Sequence, residues 1–104
     1  MTESWQEVAT LDDFAASDAI AVAAGGKQIA IYLIHGAVFA TDNHCTHGDA
    51  SLCDGFLEGH EIECPLHQGR FDVRTGAATG APATVALVTY PARLEQDRVQ
   101  LRIG

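Results

Sequence analysis

The chain has 104 residues, of which 47% are hydrophobic and 19% are charged, a composition typical of one folded domain rather than a disordered tail. Its net charge of −8 disfavours binding to nucleic acid or to an anionic membrane, and favours a protein partner with a basic face. The longest apolar runs, residues 19–24 and 29–34, are far shorter than the roughly 20 residues of a membrane span. We therefore expect one domain over residues 1–104, with no membrane segment.

Targeting and redox features of the sequence agree with each other. The N-terminal residues have neither a basic stretch nor a long apolar run, which argues against a signal peptide. Three cysteines cannot all pair with one another, and an odd count without an export signal indicates a reducing compartment and a metal site. The expected location is the cytoplasm.

Short strands separated by Gly, Pro, Asn and Asp dominate the pattern along the chain. One helical turn is predicted over residues 11–15, and strands over residues 5–9, 20–23, 28–34, 37–41, 61–63, 70–73, 85–90, 92–95 and 98–103. Gly25-Gly26 and His35-Gly36 are the expected tight turns. Residues 42–58, 64–69 and 80–83 are expected to be loops. Strands of this length and spacing predict an all-β fold, an antiparallel sandwich or barrel.

The residues that carry chemistry lie in the two longest stretches without periodicity. Cys45-Thr46-His47 is a C-x-H motif, and Cys64-Pro65-Leu66-His67 is a C-x-x-H motif. Two thiolates and two imidazoles could close a tetrahedral zinc site. They could equally bind a [2Fe–2S] cluster, with both thiolates on one iron and both imidazoles on the other. The third thiol, that of Cys53, is expected to be a bystander.

The sequence around these motifs resembles the Rieske ferredoxins of bacterial aromatic-ring-hydroxylating dioxygenase systems, in particular those of the naphthalene dioxygenase type. The likeness extends over nearly the whole chain. The residues that carry it are Ala40-Thr41-Asp42-Asn43, Cys45-Thr46-His47-Gly48, Asp54-Gly55, Leu57-Glu58-Gly59, Glu61-Ile62-Glu63-Cys64-Pro65-Leu66-His67-Gln68-Gly69-Arg70-Phe71-Asp72, Thr75-Gly76, Ala81-Pro82 and Thr89-Tyr90-Pro91.

This resemblance implies the Rieske fold, an antiparallel β-sandwich with a small cluster-binding subdomain. The cluster-binding loops are expected at about residues 42–50 and 62–72, with a covering loop at about residues 79–83 that contains Pro82. By the same likeness the chain holds one Rieske [2Fe–2S] cluster. Cys45 and Cys64 bind the buried iron, and His47 and His67 bind the outer iron through their Nδ1 atoms.

The chain departs from the respiratory members of the wider family. Those proteins have a disulfide between the two cluster loops, whereas the corresponding positions here look like Ala50 and Leu66. Gly69 stands where those proteins place a serine that donates to a cluster sulfur. Because fewer hydrogen bonds stabilise the reduced cluster less, we expect a potential near the low end of the Rieske range, about −150 mV.

The resemblance also implies a function. The chain is expected to be a one-electron carrier, not an enzyme in its own right. It would receive electrons from an NADH-dependent flavin reductase and pass them to the terminal oxygenase alpha subunit of a multicomponent aromatic-ring dioxygenase. Two alternatives remain open, the small Rieske-like subunit of a nitrite reductase and a structural zinc-binding module.

Overall fold

The computed structural model describes residues 4–46, 50–66, 68–81 and 83–103. Within these ranges the chain forms two 3₁₀ turns, Leu11–Phe14 and Leu52–Asp54, and a series of short strands. The strands are β1 (Gln6–Thr10), β2 (Ala19–Ala24), β3 (Lys27–Ile34), β4 (Ala37–Asp42), β5 (Phe56–Glu58), β6 (Glu61–Glu63), β7 (Arg70–Asp72), β8 (Ala78–Gly80), β9 (Thr89–Tyr90), β10 (Ala92–Glu95) and β11 (Arg98–Leu101). No helix in the described ranges has the length and apolarity needed to cross a bilayer.

The strands pair antiparallel in three sheets, ordered β1-β11-β10, β2-β3-β4-β9 and β5-β6-β7-β8. The first two sheets share one core, which includes Ile29 and Ile31 of β3 and Val99 and Leu101 of β11. Strands β4 and β10 are in contact, so these two sheets form the body of the molecule. The third sheet packs in a second core, which it shares with Ala30, Tyr32 and Ile34 of β3. The predicted all-β sandwich with a small subdomain is confirmed.

The third sheet is half-buried, and its register separates the two faces. One row of paired residues points inward and the next points outward, as expected for alternating side chains. The inward row is Leu57, Ile62, Phe71 and Ala78, and the outward row is Phe56, Glu63, Arg70 and Gly80. Ile62 and Phe71 are fully buried, which fixes the ends of β6 and β7 from which the second cluster loop emerges.

The outward face is charged. The guanidinium of Arg70 lies 3.1 Å from Glu58, 3.5 Å from Glu61 and 2.9 Å from Glu63. The hydrogen bond to Glu58, followed by the charge of Glu63, raises the pKa of Arg70. One cation therefore serves three carboxylates, and the face keeps a net negative charge.

The structure corrects three expectations about local structure. Residues 42–58 are not wholly loop, because they contain the 3₁₀ turn Leu52–Asp54 and strand β5. Residues 85–90 are strand only at β9, and Gly80, expected in the loop over residues 80–83, is the last residue of β8. Strands of two or three residues are defined by their pairing partners, so periodicity alone does not show them. The apolar residues 85–88 instead form part of a segment over the cluster loops.

Candidate metal centre

The first cluster loop begins where β4 ends and closes on itself through the backbone. The N–H of Cys45 donates to the carbonyl of Ala50 at 3.0 Å, and the N–H of Leu52 donates to the carbonyl of Asn43 at 2.7 Å. The buried side chain of Asn43 adds a third tie, because its Oδ1 accepts the N–H of Cys53 at 3.0 Å. These bonds close the loop and place Cys45 at its base, next to the exposed Thr46.

The second cluster loop continues the pairing of β6 with β7. The N–H of Cys64 donates to the carbonyl of Gly69 at 2.7 Å, and Pro65, Leu66 and Gln68 lie in the tip between them. Gln68 closes the turn in the left-handed region, with φ of 63°. In both loops the cysteine N–H bonds to the carbonyl five residues later, so the two loops present their cysteines with the same local geometry.

The two cysteines at the loop bases meet in the interior. Cys45 and Cys64 are 1% and 0% exposed, and both thiols are free. Burial, followed by a hydrogen bond with the Cys45 thiol, raises the pKa of Cys64 to about 11. The N–H of Leu66 favours the thiolate, since it donates to the Sγ of Cys64 at 3.4 Å. Two buried thiols in contact ionise together only beside a cation, so this pair suits the soft, sulfur-binding iron of a cluster.

A covering segment, which we define as residues 81 and 83–88, crosses both loops. The Thr46 hydroxyl donates to the carbonyl of Val85 at 2.6 Å. A Cβ on Gly69 would lie 2.9 Å from the Cβ of Ala83, which leaves no room for a side chain at position 69. The N–H of Leu87 donates to the carbonyl of Gly76 at 2.8 Å. The covering segment is thus in contact with both cluster loops and with the turn after β7.

The structure places only part of the expected ligand set. Cys45 and Cys64 are brought together, whereas His47, His67 and Pro82 lie outside the described residues. Cys53 is half-buried, and burial followed by the charge of Asp54 raises its pKa. The sequence analysis did not single out the Thr46–Val85 bond or the contact of Gly69 with Ala83. No local sequence pattern predicts either contact, because each contact joins residues that are distant in the chain.

Comparisons with known proteins indicate the same kind of metal centre. Residues 4–91 match the family model described as the Rieske [2Fe–2S] domain. A ferredoxin component of the naphthalene 1,2-dioxygenase/salicylate 5-hydroxylase systems from Ralstonia sp is 53% identical over 103 residues, with 99% of each chain covered. The ferredoxin component of the naphthalene 1,2-dioxygenase system from Pseudomonas putida is 52% identical over 104 residues, with 100% of each chain covered.

Solved structures give the same fold. The ferredoxin of carbazole 1,9a-dioxygenase from Nocardioides aromaticivorans IC177 superposes with a TM-score of 0.90 and 33% identity, covering 97% of this chain and 99% of that one. A complex of reduced oxygenase and oxidised ferredoxin in carbazole 1,9a-dioxygenase contains a chain with a TM-score of 0.85 and 34% identity, covering 94% and 92%.

A structure described as a nitrite reductase small subunit shares the fold alone, with a TM-score of 0.80 at 20% identity and coverage of 94% and 97%. The family match also decides between the two metal sites that the ligand types allowed, since it indicates a [2Fe–2S] centre rather than zinc. The chain belongs to the Rieske [2Fe–2S] domain family and carries one Rieske cluster.

Proposed function

We propose that the chain is the ferredoxin component of a multicomponent aromatic-ring dioxygenase. It accepts single electrons from an NADH-dependent flavin reductase and donates them to the terminal oxygenase alpha subunit. The two curated relatives are ferredoxin components of such systems, with more than half of their residues identical to this chain over its full length. The solved complex of an oxygenase with its ferredoxin supports the choice of electron acceptor.

The observation that carries the proposal is the position of the thiol pair just beneath the surface. Cys45 and Cys64 are buried, but their chain neighbours Thr46 and Pro65, and Gln68 of the second tip, are exposed. When bound, the cluster supplies a centre that gains or loses one electron. The chain's own residues shield the thiolates from water and keep Thr46, Pro65 and Gln68 at the surface, so a docked partner lies within a short electron-transfer distance.

The ligand assignment forms part of the proposal. Cys45 and Cys64 bind one iron, and His47 and His67 bind the other. The contact between the two thiols and the C-x-H and C-x-x-H spacing support this split. In the sequence His47 lies two residues after Cys45 and His67 lies three residues after Cys64, so each motif supplies one ligand of each type. Replacement of an imidazole by a third thiolate would alter this asymmetry without removing a ligand.

Charge and cysteine usage support the rest of the proposal. A net charge of −8 favours redox partners with basic docking faces. The odd number of cysteines, all of them free among the described residues, suits a reducing cytoplasm. Separation of cell fractions, with the periplasm and membrane assayed beside the cytosol, tests this location.

Reconstitution tests the function. The purified protein is mixed with NADH, the reductase and the terminal oxygenase of the naphthalene dioxygenase system, and cluster reduction is followed by EPR. We expect an NADH-dependent signal of the Rieske type and product formation that requires this chain. His47→Cys and His67→Cys should retain iron and shift the potential downward, toward the about −400 mV of all-thiolate clusters. A folded protein without iron and acid-labile sulfide would contradict the proposal.

A further inference from the structure

The covering segment is anchored on both sides of an exposed arc, and at its end the carbonyl of Val88 accepts the N–H of Asp42 at 2.9 Å. Ala83 and Leu87 are buried in the core of the small subdomain, at 6% and 4% exposure. Their N–H groups donate to the carbonyls of Gly80 and Gly76 at 3.1 and 2.8 Å, so both anchors are fixed to the third sheet and the turn after β7. Residues 84–86 are exposed, and Val85 retains 59% of its surface. The position of residues 84–86 therefore depends on the contacts of the central residue, Val85, which is the crest of the arc.

At the crest the arc touches the first cluster loop. The hydroxyl of Thr46 donates to the carbonyl of Val85 at 2.6 Å, across 39 positions of sequence. Thr46 directly follows Cys45, whose own N–H is bonded to Ala50, so the donor sits on a loop that the backbone already holds closed. The bond joins the rim of the cluster site to a segment whose other hydrogen bonds, among the described residues, lie at its ends.

We infer that Thr46 is a positioning residue, whose hydroxyl holds the arc of residues 84–86 against the first cluster loop and so limits the access of water and solutes to the cluster. This inference rests on the proposed ligand assignment of Cys45. The hydrogen bond lies at the exposed surface, so its removal leaves both partners accessible to water and does not bury an unpaired polar group. The consequence of losing it is local opening of the arc rather than global unfolding.

Two substitutions at position 46 separate the effect of the hydroxyl group from the effect of side-chain shape. Thr46→Val has nearly the same shape but lacks the donor, whereas Thr46→Ser keeps the donor and loses the methyl group. Thr79→Val, at an exposed threonine on β8, is the matched control for exchanging a surface hydroxyl for a methyl group. Hydrogen–deuterium exchange of a peptide spanning residues 83–88, and the rate at which an iron chelator bleaches the cluster, are the readouts.

We expect Thr46→Val to raise the exchange rate and the bleaching rate about fivefold, in keeping with the loss of one hydrogen bond. Thr46→Ser should stay within about twofold of the unsubstituted protein and Thr79→Val should match it, with the melting temperature unchanged in all three. Unchanged rates in Thr46→Val, or equal changes in the serine variant, would overturn the inference. If Thr46→Val cannot be loaded, cluster retention by Thr46→Ser supports the role of the hydroxyl, and loss in both contradicts it.

The same measurements keep this inference separate from the proposed function. If the unsubstituted protein binds no iron, the function fails, while the exchange rate of residues 83–88 still shows whether the Thr46 hydroxyl holds the arc. If the protein binds iron and supports turnover but the exchange rates do not differ, only the inference fails.

Discussion

Cys45 and Cys64 differ from Cys53 in what surrounds their thiols. The first two are buried at the bases of closed loops and contact each other, whereas Cys53 is half-buried and its thiol lies 3.9 Å from Asp54 Oδ1. The structural tie at position 53 is made by the backbone N–H, which bonds to Asn43. At this scale the environment, rather than residue type, distinguishes the proposed ligands from the expected bystander.

Serine substitutions test this distinction. Cys45→Ser and Cys64→Ser should abolish the native cluster, because a hydroxyl is a poor replacement for a buried soft thiolate. Cys53→Ser should keep two irons per chain, since the loop is held there by the backbone. Iron content and the visible spectrum of each purified variant are the measurement. Loss of iron in Cys53→Ser with retention in either of the other variants would reverse the assignment.

Tyr90 makes the protein sensitive to alkali. Its hydroxyl donates to Asp42 Oδ1 at 2.5 Å, and burial followed by this bond raises its pKa to about 12. An unfolded tyrosine loses its proton near pH 10, so above that pH the unfolded chain binds fewer protons than the folded one. The stability that this tyrosine contributes is therefore fully present below pH 10 and falls as the pH rises toward 12.

Urea unfolding at pH 9 and pH 11.5 measures the loss of stability at alkaline pH. Tyr90→Phe should reduce the difference in unfolding free energy between the two pH values. It should not abolish the difference, because burial also raises the pKa of Tyr32. An identical alkaline loss in the variant would show that Tyr90 keeps an ordinary pKa.

At the scale of elements, the turn after β7 positions the covering segment. Gly76 has φ of 82°, and a Cβ there would lie 2.2 Å from the carbonyl oxygen of Leu87. Gly26, in the turn between β2 and β3, has φ of 76° but nothing within 4 Å of the same position. The two glycines share the left-handed conformation and differ in the space around them.

Alanine substitutions at these two glycines separate the cost of backbone strain from the cost of a steric clash. Gly26→Ala should cost about 1 kcal/mol of stability, the cost of a side chain in the left-handed region. Gly76→Ala should cost about 2 kcal/mol more, because the backbone of Leu87 must move. Urea unfolding of both variants gives the comparison. Equal losses of stability in the two variants would mean that the covering segment moves away from this contact at no cost in free energy.

Element boundaries were predictable where alternation is long. Alternation and the turn residues Gly25-Gly26 and His35-Gly36 predict strands β2, β3 and β4 and the two tight turns between them to within about a residue or two. Residues 85–88 have the composition of a strand, yet Leu87 pairs with the turn at Gly76 and the segment crosses the cluster loops. Composition does not predict this pairing, because tertiary packing decides which part of the molecule residues 85–88 contact.

At the scale of the whole molecule, net charge should govern encounter with the partners. Opposite charges steer association, and salt screens that attraction. We expect the apparent KM for this protein in oxygenase turnover to rise several-fold with added salt, and kcat to change little. The double substitution Glu58→Gln with Glu61→Gln should mimic part of the rise, while Glu95→Gln, on the distant strand β10, serves as the control. A KM independent of salt would exclude electrostatic steering.

The sequence by itself determined the chemistry and the fold class. Ligand type and short spacing within Cys45-Thr46-His47 and Cys64-Pro65-Leu66-His67 are local properties of the chain, and so is the alternation that predicts strands. Tertiary structure alone decided that the two thiols touch, that Thr46 bonds to Val85, and that position 69 has no room for a side chain. Such contacts depend on how separate elements pack, and no local spacing encodes the distance between residues that are 39 positions apart.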